Sequence, residues 1–476
     1  QKGMQRKITS IFLPDRLSLS DIEIPNDTWY YDPKSDELFE FDKGLFRSHS
    51  KHNSPNTFHT ASTLKVLPPD ARVVTVEIND DVIINLEPNS TTLPTWKTVD
   101  NTTEMEGWLR QRNKKHHQQV HEDGSFPTKS EFFDIVGEHG TTPTVDTLLD
   151  GTFDIDAVDF PDYVKDWLRW MKRTPAEEEL KEVQPRITPT QYAEAFKITD
   201  EMTSSSPSGL HYTLWKAIAE KKEFCEYMSI MMSLPFQYGF SNTRWETAID
   251  VMLEKKQGVR KIHLMRIIGL VEADFNTALK IYFAQGLMRN AEASGITPDQ
   301  WGGRANRSAP DCATRKLLTW EYKRYMKHTM GSFFGDLASC FDRMKTCLSS
   351  IVSMKKGMPK SICLSRSTTV HNMKRQIRTA AGTTDVTYQY EPETDKYQLD
   401  GEIQGKGDVM CHWTNVSDSI LQVHRKHTAG VTLHHVANGE SSSRSADAYV
   451  DDTDVYSEPT PHLPTDEEWF AESEDP

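Results

Sequence analysis

Tyr449-Val450-Asp451-Asp452 sets two adjacent carboxylates behind an aromatic and a β-branched residue. Residues 446–450 read as a strand entering a tight turn, which would put both carboxylates at a hairpin tip. Carboxylate oxygens are hard donors that suit Mg²⁺. Upstream, Phe333-Phe334-Gly335-Asp336-Leu337-Ala338-Ser339-Cys340-Phe341-Asp342-Arg343 begins as an apolar strand that ends in an aspartate, with Phe341 five residues beyond Asp336. Together Asp336 and Asp451 could clamp two Mg²⁺ ions about 3.5–4 Å apart, and two such ions serve phosphoryl transfer through positioned charge. The plainer readings are an Asp-Asp turn in an acidic stretch and a helix N-cap at Asp336.

These carboxylates need elements to hold them. Helices and short strands alternate from Thr188 to about residue 390, an α+β pattern. Thr188-Pro189 opens one helix and Thr174-Pro175, followed by Glu177-Glu178-Glu179, opens another: a cap, a first-turn proline and dipole-matched acids. Asp162 to Met171 has helical spacing, with Val164, Trp167, Leu168 and Met171 on one side. Further upstream, residues 72–86 read as a hairpin around Asn79-Asp80-Asp81 and residues 87–103 as a linker. Residues 1–60 read as polar and irregular. His116, His117 and His121 read as a polar helix face rather than a metal site. Residues 382–401 suggest a second hairpin around Pro392-Glu393-Thr394-Asp395, and the acidic residues 457–476 a disordered tail.

Composition bounds the function classes. The 476 residues hold 55 Lys+Arg against 70 Asp+Glu, a net charge of −15, which taken whole argues against a polyanionic partner. Residues 211–380, however, hold 27 basic and 14 acidic side chains, a local +13. That stretch is interleaved with Trp245, Tyr282, Phe283, Trp320, Tyr322 and Tyr325, a combination that can track a nucleic-acid backbone or simply fill a core. Six cysteines without a CxxC pair give neither a disulfide scaffold nor zinc-ribbon spacing. With no apolar signal core and no membrane-spanning run, the expectation is an intracellular protein, of nucleus or cytoplasm, without membrane attachment.

In order and wording these motifs resemble the reverse transcriptase domain of non-LTR (LINE-like) retrotransposons. The strand into Asp336 is similar to the first palm motif, D-x-x-x-x-F-D, and Tyr449–Asp452 to the Y-x-D-D hairpin. Ile403-Gln404-Gly405-Lys406-Gly407 is similar to the Gln-Gly motif beneath template and nucleotide. Leu253-Glu254-Lys255-Lys256 and Leu264-Met265-Arg266-Ile267-Ile268-Gly269-Leu270 resemble the finger strands. Ser206-Pro207-Ser208-Gly209 resembles the S-P-G-x-D-G loop, and Gln300-Trp301-Gly302-Gly303-Arg304 the Q-x-G-F-R segment. The resemblance covers residues 190–456, and its strength lies in the order of the set.

The resemblance implies an α+β right-hand polymerase fold. Fingers and palm would occupy 186–456, an antiparallel palm sheet would pack on helices, and the mixed region 1–185 would have no assigned role. It implies an RNA-directed DNA polymerase (a nucleotidyltransferase) working with two Mg²⁺, or Mn²⁺, on an RNA template, a DNA primer and dNTP. Asp336, Asp451 and Asp452 would be catalytic metal ligands, with the Leu337 carbonyl as an extra oxygen. Lys255, Lys256 and Arg266 would meet the triphosphate, Phe341 would stack under the sugar, and Gln404 and Gly405 would contact nucleotide or template. The chain departs at Lys406-Gly407-Asp408, where the family continues toward Ser-Pro, and at Ser208 and His211, where it favours Gly and Asp. Only 24 residues follow Asp452, so the expectation is a truncated product without a thumb, incomplete or inactive alone. A non-catalytic nucleic-acid-binding remnant is the alternative.

Overall fold

A computed structural model describes residues 28–32, 37–42, 45–48, 65–66, 76–78, 97–122, 129–201, 203, 206–255, 259–337, 339–395, 398–399, 401–434 and 440–458. Lys256, the second expected strand at 82–86 and the tail beyond 458 therefore lie outside the described residues. The described elements are mixed α and β, and their sheets include antiparallel hairpins.

Chain contacts divide the molecule into two units. One comprises Gln1–Trp108, Val251–Ile267 and Arg378–Thr383, and the other Leu109–Asp250, Ile268–Ile377 and Thr384–Pro476. In the first unit, β1 (Thr28–Asp32), β2 (Glu37–Asp42), β3 (Leu45–Ser48) and β4 (Lys65–Val66) form a sheet of order β3-β2-β1-β4. Residues 1–60 were expected to be irregular. Trp29-Tyr30-Tyr31 and Leu38-Phe39-Glu40-Phe41 are the aromatic-rich runs that carry two of these strands instead. β5 (Val76–Ile78) pairs with β6 (Lys97–Val99), so its described partner comes from the expected linker.

The second unit holds most of the described helices. α1 (Thr102–Glu122) enters it from the first, followed by α2 (Lys129–Val136), α3 (Pro143–Asp150) and α4 (Asp162–Trp170). α4 buries Leu168, Trp170 and the following Met171, the side that the spacing predicts, with Val164 and Trp167 packed against the core. α5 (Pro175–Glu178) and α6 (Pro189–Lys197) both start in capping boxes. Thr174 pairs reciprocally with Glu177, and Thr188 with Gln191. α7 (Tyr212–Ala219) and α8 (Lys222–Tyr238) precede β7 (Thr247–Glu254) and β8 (Met265–Leu270).

α9 (Ala273–Leu279) runs through a π-helical segment, Lys280–Leu287, into α10 (Met288–Ser294). α11 (Ala309–Met326), β9 (Gly331–Asp336), α12 (Cys340–Arg343), α13 (Thr346–Lys355) and α14 (Lys360–His371) follow. Next come β10 (Lys374–Thr379), β11 (Gly382–Tyr388), α15 (Val409–His427), β12 (Val431–His434), β13 (Ser441–Arg444), β14 (Ala446–Tyr449) and β15 (Asp452–Ser457). The sheet β11-β10-β7-β8 contains the strands that the unit division crosses. β11 was expected to pair downstream across Pro392. It hydrogen-bonds to β10 instead, and the two-residue connection at Ala380-Ala381 makes the hairpin.

One apolar core runs through this unit. Phe236, Trp245, Phe275 and Tyr282 stack in its centre, with Phe236 and Tyr282 ring centroids 4.7 Å apart. Trp245, Tyr282 and Phe283 thereby leave the set of candidate nucleic-acid aromatics, whereas Tyr325 is 84% exposed and Trp320 remains partly open. Among the described residues, no helix is long and apolar enough to cross a membrane.

Candidate functional site: carboxylates at one end of a three-stranded sheet

β14, β15 and β9 form an antiparallel sheet in that order. Across β14 and β15, Tyr449 faces Asp452, leaving Val450-Asp451 as a two-residue loop. Across β15 and β9, Asp452 faces Asp336. The Leu337 N–H donates to the Asp451 carbonyl at 3.1 Å, which ties the loop to the end of β9. Asp336, Asp451 and Asp452 thus share one sheet end. Asp336 and Asp452 are exposed, and Asp451 is half-buried.

The loop is held in an unfavourable conformation. Val450 has φ +60°, and a β-branched residue there is a genuine outlier. The surroundings over-determine it. Trp413 Nε1 of α15 donates to the Val450 carbonyl at 2.7 Å. The Trp301 N–H donates to the Ala448 carbonyl and the Ala448 N–H to the Asp299 carbonyl, both at 2.8 Å. A Cβ on Gly302 would lie 2.4 Å from the Val450 nitrogen, so only glycine admits the loop at this distance. Gln300-Trp301-Gly302-Gly303-Arg304 is therefore the backing of the hairpin.

The expected nucleotide residues are placed less uniformly. Phe341 is half-buried, its ring 6.1 Å from that of Trp413 in an edge-to-face arrangement, within the apolar core. Its neighbour Asp342 accepts from or pairs with His116, Nε2 to Oδ2 at 2.9 Å. Gly405, at φ +117°, packs its backbone on β8: the Gly269 N–H donates to the Gln404 carbonyl at 2.8 Å, and a Gly405 Cβ would meet the Gly269 oxygen at 2.7 Å. Lys255 and Arg266 are exposed, and both belong to the first unit.

Ser208, Lys406 and Asp408 each have structural partners. Ser208 donates to Glu272 through both its N–H and its hydroxyl, and Glu272 also receives Arg244 at 2.6 Å. Lys406 and Asp408 enter a buried ion network beneath the Gln404-Gly405 loop. Arg366 bonds Glu402 and donates to Asp408 at 2.6 Å, and Lys406 reaches Glu402 at 2.9 Å. Burial alone would raise the Glu402 and Asp408 carboxyls. The Arg366 and Lys406 charges more than reverse this and hold both below the usual carboxylate range. Burial holds His412, 3.3 Å from Asp408, toward its neutral form.

Sequence reading assigned His116 and His117 to a polar helix face. Both turn inward, His116 to Asp342 and His117 to Arg375 at 2.8 Å. Partners 226 and 258 residues away leave no local signal. Burial, with the charges of Asp451, Asp342 and Asp336 adding to it, pushes the Cys340 thiol up to about 12, which makes it a poor nucleophile.

An all-oxygen donor set of three carboxylates fits Mg²⁺ or Mn²⁺. Their oxygens do not converge on a single point. Among the described residues, the one group of three donors mutually within 4.8 Å is Glu138, His139 and His371. Phe333 and Phe334, 68% and 60% exposed, precede the carboxylate on β9 and, as consecutive strand residues, point to opposite faces of the sheet; Trp320 lies edge-on to Phe334 at 5.7 Å, and Leu337 is exposed. No family model matches the chain, and no curated protein matches it.

Proposed function

We propose that the chain is a palm-type, template-directed polymerase, with RNA-directed DNA synthesis as the first reading, in line with the resemblance to retroelement reverse transcriptases. The observation that carries it is the register Asp452 opposite Asp336, with Leu337 latched to the Asp451 carbonyl. Chemistry of this class needs two anionic strand ends brought side by side and open to solvent. The metals, when bound, would polarise the attacking hydroxyl and neutralise charge on the leaving pyrophosphate. The protein's own part is positional. Val450, held by Trp413 and by the close approach of Gly302, sets the direction of Asp451, and the exposed Phe334 with Trp320 beside it offers faces on which bases can stack. Lys255, Lys256 and Arg266 remain the candidates for triphosphate contact, and Gln404 for the template side.

The test is Mg²⁺-dependent primer extension on an RNA template. Asp451→Asn is expected to reduce extension at least 1000-fold with the fold retained. Extension at the wild-type rate would overturn the assignment.

A second reading, RNA-directed RNA synthesis, is favoured by the environment of Phe341. Its ring packs edge-to-face on Trp413, while the next residue, Asp342, bonds His116 through Oδ2 and keeps its other carboxylate oxygen to accept from a ribose 2′-hydroxyl. The same assay decides between the two. Incorporation of dNTP in preference to NTP supports the first reading. Preference for NTP, lost in Asp342→Ala, supports the second.

A further inference from the structure

In the buried network beneath Gln404, two cations face two carboxylates. A second cluster in the same unit is not balanced. Lys355 and Lys356, at the end of α13, have side chains only 2% exposed, and both bind the single carboxylate of Glu177. Lys355 Nζ reaches Oε2 at 2.6 Å and Lys356 Nζ reaches Oε1 at 2.8 Å. Their other acceptors are neutral: the Lys172 carbonyl at 2.6 Å and the Ser294 hydroxyl at 3.0 Å. The Trp170 ring lies 4.7 and 5.8 Å from the two ammonium groups, which partly offsets their desolvation but adds no charge. Among the described residues no second carboxylate forms a direct ion pair with either ammonium group, and the Lys356 charge reaches Asp418 only at longer range, so the two buried cations are under-compensated, which is costly.

These ammonium groups line a cavity of about 310 Å³. Its wall adds Lys172, Arg173 and Lys426, so five cations meet one carboxylate, not counting Arg169, which is paired with Asp156 and Asp166. Arg173 donates to the Met354 carbonyl, and among the described residues Lys172 and Lys426 have no acidic partner. Gln422 closes one side, held by Trp170 Nε1 at 2.9 Å. The volume matches the lower end of small-ligand pockets, roughly 300 Å³, and exceeds what a lone monatomic ion needs. Trp413 touches the carboxylate loop nine residues before Gln422 on α15, a rise of about 14 Å, so this cavity is separate from the sheet-end carboxylates.

We infer that this cavity is a polyphosphate-binding site, built to take the triphosphate of a free nucleotide or of an RNA 5′ end. A triphosphate supplies the missing negative charge, and its several oxygens can meet lysines arranged around a pocket rather than along one line. The site does not depend on the carboxylates being catalytic.

The experiment uses the full chain and titrates it, without divalent cations, with inorganic tripolyphosphate, ATP, and matched short RNAs carrying a 5′-triphosphate or a 5′-hydroxyl. Binding is read by Trp fluorescence and by the shift in melting temperature. Saturable binding of tripolyphosphate and a raised melting temperature are expected. The double variant K172E/K426E, altered only at exposed positions, should weaken binding at least tenfold while unliganded melting stays unchanged. Asp451→Asn should leave binding intact. ATP competing as well as the 5′-triphosphate RNA identifies a free nucleotide. A tenfold preference for the 5′-triphosphate over the 5′-hydroxyl RNA, with ATP weak, identifies the RNA end. Absence of saturable binding by every probe, or binding unaffected by K172E/K426E, overturns the inference.

Discussion

Val450 and Gly302 behave as a pair. Val450 occupies the first central position of a two-residue hairpin loop, with positive φ, where glycine is the usual residue. Its strain is of order 1–3 kcal/mol and persists because Gly302 lets the loop sit against the Trp301 segment. Gly302→Ala would push a methyl against the Val450 nitrogen. We expect a loss of about 1–3 kcal/mol in urea unfolding, and at least a tenfold drop in primer extension. Gly107→Ala, inside α1 with an added Cβ that meets no atom within 4 Å, is the control: it should leave extension unchanged and raise stability by up to about 1 kcal/mol, opposite in sign to Gly302→Ala. At this scale the sequence was informative: an aspartate ending an apolar strand and a Y-x-D-D turn are local patterns, and the register joins them. The side chains around them were not legible, because His116 and Trp413 reach the site only through long-range folding.

Among the elements, the loop before α15 is fixed by its own buried charges. Lys406 and Asp408 are not facing outward. With Arg366 of α14 and Glu402 they form a charge-balanced core that fixes the start of α15. Arg366→Met would leave two buried carboxylates to one lysine. The expected cost is about 3–5 kcal/mol, measured as a lowered urea midpoint. A midpoint within experimental error of wild type would show that the network is dispensable. The capping boxes at Thr174 and Thr188 were legible because cap and partner lie three residues apart. The pairing of β11 was not, since β10 precedes it with no turn glycine before the connection and the Pro392 turn offers a stronger local signal. β1 and β2 were overlooked because acidic residues interrupt their aromatic alternation.

For the whole molecule, the net charge of −15 conceals the basic stretch 211–380, and with it a balanced network and a lysine-rich cavity that draw residues from inside and outside that stretch. Stability should respond to pH in two opposing ways. Asp418 is pushed up to about 6 by burial, partly countered by the Thr297 N–H and the Lys356 charge. Since its proton is held more tightly in the fold than in the unfolded chain, its contribution grows as pH falls from about 6 toward 4. Glu402 and Asp408 are held low, so their contribution is full above the ordinary carboxylate range and is lost as pH falls through it. We therefore expect Asp418→Asn to remove a gain of about 1.3 kcal/mol between pH 7 and pH 5, read from urea midpoints, while leaving the steep acid loss below pH 4. An unchanged difference between pH 7 and pH 5 in Asp418→Asn would refute this account.

The two-residue connection between β14 and β15 has a consequence for how this protein can vary. In a paired strand, a shift of one position sends every side chain to the opposite face. A single inserted or deleted residue between Ala446 and Tyr449 would turn Asp447 away from Tyr456, whose hydroxyl it accepts at 2.9 Å, and would bring Ala448 out of its contact with Asp299 and Trp301. Asp451 would then arrive on the wrong side of the sheet. Substitutions here are graded in their effects, but changes of length are all-or-none. Spacing, more than residue identity, is what descendants of this chain must preserve.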